Sequence, residues 1–178
     1  MKDIVVVWAT SYGKLLELSN WATNENAVLL DCSLLGKWSQ AILDLSSCKD
    51  VGFILKNLEN NKQIKWQFFK SLEKEVIDSY LSLASNKVED FLLVVELDFL
   101  GDAFSIAENF FQDGLKIVDL RLLRFFEPKV LLLLTGNENK KEKISIAIEN
   151  ILSQKKKNME INIVSPVSFQ IKNLFHLE

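Results

Sequence analysis

Apolar residues fall into two spacings along this chain, and the order in which the spacings alternate occurs twice. Residues 4–9, IVVVWA, and 91–99, FLLVVELDF, are short apolar runs rich in β-branched side chains, which predicts a strand at each place. After each run the spacing changes to three and four. Leu15, Leu18 and Ala22 follow the first run, and Ala103, Ile106, Ala107, Phe110 and Phe111 the second, each a stripe along one face of a helix. Alternation then returns at Val28, Leu30, Cys32 and Leu34, and at Val118, Leu120 and Leu122. That is the period of a strand with one face buried, and it turns Asp31 and Asp119 to the opposite face. A polar break leads to a further strand, AILDL (41–45) and KVLLLLT (129–135). Helical spacing resumes at Val51, Ile54, Leu55 and Leu58, matched by Ile144, Ala147, Ile148, Ile151 and Leu152. Each pass closes on a strand, IKWQFF (64–69) and INIVS (161–165), and on a short amphipathic helix. Its apolar positions are Leu72, Val76, Tyr80 and Leu83 in the first pass, and Val167, Ile171, Leu174 and Phe175 in the second.

The residues themselves repeat as well as the pattern. NAVLLDCSLL (26–35) returns as GLKIVDLRLL (114–123), and at the same offset of 88 Gly13 falls on Gly101, Asp31 on Asp119 and Leu34-Leu35 on Leu122-Leu123. The chain therefore reads as two tandem domains, 1–88 and 89–178, divided in SLASNKVED (82–90). Each is expected to be a ferredoxin-like βαββαβ unit of α+β class: an antiparallel sheet with helices on one face, plus a short C-terminal helix. The loops GNENKKE and SQKKKN lengthen the second copy, where insertion costs little.

Composition narrows the function classes. With 48% apolar and 25% charged residues in 178, the chain suits one ordinary domain or two small ones with real cores. No apolar run is long enough to span a bilayer, and MKDIVVVWATSYGK reads as a first strand and not as a signal peptide, so no membrane partner and a cytoplasmic location are expected. The net charge of −3 divides into 10 Lys against 10 acids in residues 1–88 and 11 basic against 14 acidic residues in 89–178, which argues against a nucleic-acid partner. Lys140-Lys141-Glu142-Lys143 and Lys155-Lys156-Lys157 flank one predicted helix and read as its solvated ends.

Catalytic and metal chemistry find little support. Cys32 and Cys48, the two cysteines, read as packed thiols without a disulfide framework or zinc cluster. Cys48 beside Lys49 has the form of an activated thiol, against the plainer reading of a helix start. The one histidine, His176, lies next to a Leu177-Glu178 ending that has the form of a cloning scar, and it leaves a nucleophile-histidine arrangement hard to assemble. No phosphate-loop or dinucleotide fingerprint occurs. Asp31 and Asp119 resemble paired acids, but duplication accounts for both. No enzyme activity, cofactor or metal is expected. Trp38 and Phe125-Phe126 stand apart, because they fall in short connections between strands where a core residue is not required.

The second half, and more faintly the first, resembles the bacterial microcompartment shell-protein (BMC) domain. The likeness rests on VVELDFLGDAFSIAENF with Glu96, Gly101, Ala103 and Ala107, on VLLLLTGNE with Gly136, and on INIVSPVSFQIKNLF with Pro166. The resemblance implies a tandem-type shell subunit, a structural protein whose three copies form a pseudohexameric ring, alone or with other shell-type subunits, within a bacterial microcompartment shell. It also implies a central pore for metabolites. Counted back from Gly136 the pore-lining position falls on Glu127, and the offset of 88 places Ser39 beside it, with Lys37, Trp38, Arg124 and Phe126 close behind. GKWSQ (36–40) and RFFEP (124–128) are bulkier than the small-residue loop of the family, and Thr23-Asn24 and Gln112-Asp113 lack its tiling lysine. A second resemblance stays open: tandem ACT-like regulatory domains share the βαββαβ order and a glycine opening the first helix, which implies a small-molecule-binding module.

Overall fold

The computed structural model describes residues 1–178 apart from 36, 84–85, 124–128, 154–158 and 175–178, and apart from the side chains of 150, 152, 153 and 174. Two compact units divide between Lys74 and Glu75. The first runs β1 (Lys2–Ala9), α1 (Tyr12–Asn24), β2 (Val28–Leu35), β3 (Trp38–Asp44), α2 (Val51–Asn60) and β4 (Ile64–Leu72). After α3 (Lys74–Tyr80), the second runs β5 (Phe91–Leu97), α4 (Leu100–Gln112), β6 (Lys116–Leu123), β7 (Lys129–Gly136), α5 (Lys141–Ser153), β8 (Met159–Val164) and α6 (Phe169–Leu174), with a 3₁₀ turn (Glu138–Lys140) before α5. The strand orders are β2-β3-β1-β4 and β6-β7-β5-β8, and every pair is antiparallel. The chain is thus two ferredoxin-like βαββαβ units in tandem.

Local irregularities repeat along with the elements. In β2 the register slips between Leu29 and Asp31, and in β6 between Ile117 and Asp119, one bulge at the same place in each copy. The first helix of each unit also stops in the same way. Asn26 (φ 69°) and Gly114 (φ 82°) take the left-handed conformation, and the next N–H closes back on the helix, Ala27 to the Ala22 carbonyl and Leu115 to the Phe110 carbonyl. Both are offset by 88. Helix starts are written locally in the first unit, where the Ser11 hydroxyl accepts from the Lys14 N–H and the Asp50 carboxylate from the Phe53 N–H at 2.8 Å.

The first unit packs Val5, Val7 and Ala9 of β1 and Ala41 and Leu43 of β3 against Leu15 and Ala22 of α1 and Ile54 and Leu58 of α2. In the second, α4 buries Leu100, Ala103, Phe104, Ile106, Ala107 and Phe110, and Phe104 meets Tyr80 of α3 edge-on at 5.9 Å. Val167 and Ile171 pack with Leu92, Val118 and Leu133.

Three expectations need correction. Alternation does not bury one face of β2: Val28 is 49% and Leu34 62% exposed, because the bulge breaks the phase and α1 covers this edge with the small Ser19 and Ala22. Leu72 ends β4 and Val167 precedes α6, so neither belongs to the helix after it, and Phe175 lies outside the described residues. Leu83 lies beyond α3 and is 71% exposed, since the chain leaves the helix at Tyr80.

Candidate functional site at the hairpin end of the first sheet

The β2–β3 hairpin closes with Leu35 opposite Trp38, so only residues 36 and 37 connect the strands. The loop expected over 36–40 is therefore mostly strand. Lys37 is exposed at the turn. Trp38 opens β3 half-buried, and the Lys65 ammonium stands 5.5 Å from its ring centroid. Ser39 lies between Ala9 and Leu34 in the sheet and is 1% exposed. Arg124, Phe125, Phe126 and Glu127 lie outside the described residues. Of the six expected pore residues, the structure accordingly brings together Lys37, Trp38 and Ser39.

Sequence reasoning missed the neighbours of Trp38. A cavity of about 540 Å³ opens at this end of the sheet, lined by Thr10, Ser11, Lys14, Trp38, Lys62 and Lys65 among others. These come from three segments whose meeting depends on the strand order: the β1–α1 junction, the first residue of β3, and the run into β4. Nothing local marks Lys14 as a neighbour of Lys62 and Lys65. The second copy carries opposite charge at the positions of Lys14 and Lys65. Trp8 pairs with Lys65 where Glu96 pairs with Glu160, and Lys14 corresponds to Asp102.

Nearby, Cys32 and Tyr12 share a side-chain hydrogen bond, which raises the Tyr12 pKa above its ordinary value. Burial pushes the Cys32 thiol up, the Tyr12 bond offsets this in part, and the charge of Asp31 adds to it. Burial likewise raises Cys48, helped by the charges of Asp44 and Glu25. Both shifts disfavour the thiolate, which speaks against activation of Cys48 by Lys49 and agrees with the plainer reading. Asp31 accepts from the Ser33 hydroxyl at 2.8 Å, and Asp119 pairs with Arg121, so each acid is held by its own strand two residues on. Among the described residues no group of three His, Cys, Asp or Glu is placed to hold a metal ion.

No family model matches the chain, and no curated protein does. Among solved structures, a microcompartments protein from Desulfitobacterium hafniense DCB superposes with a TM-score of 0.78, covering 97% of this chain and 99% of that one at 14% identity. This chain has the microcompartment-protein fold. A proposed glycine cleavage system transcriptional repressor (12% identity, 92% and 96% covered) and an unknown protein from Galdieria sulphuraria (17% identity, 93% and 99% covered) both reach a TM-score of 0.35, too low to bear on the fold. In the microcompartment-type fold seen here, the paired bulges and paired helix stops lie in corresponding places of both units. No helix among the described residues is long and apolar enough to cross a membrane.

Proposed function

We propose that this chain is a non-catalytic structural subunit of the microcompartment shell type, duplicated as 1–88 and 89–178, acting in the cytoplasm by self-association into a trimeric, pseudohexameric ring. One observation carries the reading: a microcompartments protein matches both units together, end to end, with a TM-score of 0.78. The physical case for closure comes from the surface. Val28, Leu34, Leu16 and Tyr12 leave an apolar edge on the first unit, between 39% and 62% exposed. Two similar but unequal units make heterologous contacts, and such contacts close into a ring when the rotation allows. The raised thiol pKa values favour a structural reading over a cysteine nucleophile.

In such a ring the β2–β3 tips and the corresponding tips of the second copy face the axis. With Ser39 held inside its strand, Lys37 is the first-copy group nearest to the opening, with Trp38 behind it. Glu127, Arg124 and Phe126 supply the second-copy share. Light scattering at rising concentration tests the ring. A threefold mass supports it, a monomer at every concentration overturns it, and a dimer whose behaviour changes with small molecules selects the ACT-like reading instead.

A further inference from the structure

We propose that the cavity at the β1–α1 junction is a binding site for a small dianion of the phosphate monoester kind. Lys14, Lys62 and Lys65 bring three exposed ammonium groups to one cavity of about 540 Å³, a volume within the range of small-ligand sites. Mutual repulsion makes this grouping unfavourable unless an anion joins it. Lys14 is already paired with Glu17 at 2.7 Å, whereas Lys62 and Lys65 have no acidic partner among the described residues. The fold does not demand these charges, since the second copy builds the same sheet end with Asp102 and Glu160 at the positions of Lys14 and Lys65.

The remaining lining groups suit the same ligand. The Ser11 hydroxyl accepts from the Lys14 N–H, which leaves its own proton free to donate, and Thr10 offers a second hydroxyl. Lysines act on phosphate as movable point charges, and Trp38 holds one of them, Lys65, at cation–π distance over its ring. The indole is a positioning residue and a wall for the ligand's uncharged part.

The full chain is titrated with glycerol 3-phosphate and separately with glycerol, by calorimetry and tryptophan fluorescence. Glycerol 3-phosphate is expected to saturate one site per chain, and glycerol to give no signal. Lys62→Ala and Lys65→Ala are each expected to weaken binding about fivefold or more, while Lys87→Ala, outside the cavity, leaves it unchanged. Added salt weakens it further. Absence of saturation up to about 10 mM, where even weak sites register, overturns the proposal. Equal binding in all three lysine variants does the same, and thermal melts confirm that each variant is folded. The cavity lies within one unit, so the stoichiometry per chain is expected whether or not a ring forms, and light scattering on the same samples keeps the two questions apart.

Discussion

Gly136, at the end of β7 and paired with Phe91, has no room for a methyl group. A Cβ there would stand 2.6 Å from the Leu115 Cδ2 and 3.3 Å from the Phe91 ring, and both neighbours are themselves buried, so one of them must shift within the core. Gly136→Ala is expected to cost about 1–3 kcal/mol through overpacking, read as a lower denaturation midpoint. Gly13→Ala meets only the Ser11 Oγ, at an ordinary contact distance of 3.9 Å, so it is expected to stabilise by about 0.5–1 kcal/mol through the helix propensity of alanine. A matching loss in both variants would show that steric room does not separate the two glycines. Asp44 couples this fold to pH. Burial raises its pKa, but hydrogen bonds from the Lys2 ammonium at 2.8 Å and the Ser46 N–H at 2.9 Å outweigh it and hold the carboxyl below its ordinary value. Its contribution is therefore complete above the ordinary aspartate value and is lost as pH falls through the depressed one. Asp44→Asn is expected to destabilise the protein at neutral pH by about 1–2 kcal/mol and to flatten the acid limb of a stability profile. A variant profile parallel to the wild type from neutral to acid pH would rule that coupling out.

At the scale of elements, β2 and β6 set what can be read from sequence against what cannot. Strand and helix identities were legible because spacing depends on which face is buried, and α1, α2 and α4 each bury one face. Register inside a strand was not. The bulge at Leu30 in β2 and Val118 in β6 leaves no mark in the hydrophobic pattern, yet it decides which side chains turn inward after it. The helix above each strand is a second hidden determinant, since α1 buries Leu15, Ser19 and Ala22, whereas α4 buries Leu100, Phe104 and Ile106 in addition to the corresponding Ala103, Ala107 and Phe110. Leu29 and Ile117 share an offset of 88 but differ in environment, the first 38% and the second 1% exposed. Leu29→Ala is accordingly expected to cost about 1 kcal/mol or less, and Ile117→Ala about 2–4 kcal/mol, measured by urea unfolding. Equal losses would mean that the two edge strands are covered alike. The candidate site was legible only as far as the hairpin: Lys37 and Trp38 are adjacent in sequence, whereas Lys14 meets Lys62 and Lys65 through strand order alone.

At the scale of the whole molecule, stability and assembly are linked. The exposed apolar side chains on the first unit's edge, Leu34 foremost at 62%, gain nothing from the fold of one chain and become favourable only when another surface covers them. If three chains close into the proposed ring, the native state binds copies of itself and the unfolded state does not. The melting temperature then rises with protein concentration. Leu34→Glu separates folding from association, because Leu34 makes little contribution to its own core and lies in an edge strand where a charge is tolerated. The variant is expected to keep its unfolding free energy as a monomer to within about 0.5 kcal/mol, to lose the concentration dependence, and to elute at the mass of a single chain. A variant that still forms the full-size oligomer, with the same rise of melting temperature on concentration, would show that the β2 edge is not among the surfaces the ring covers.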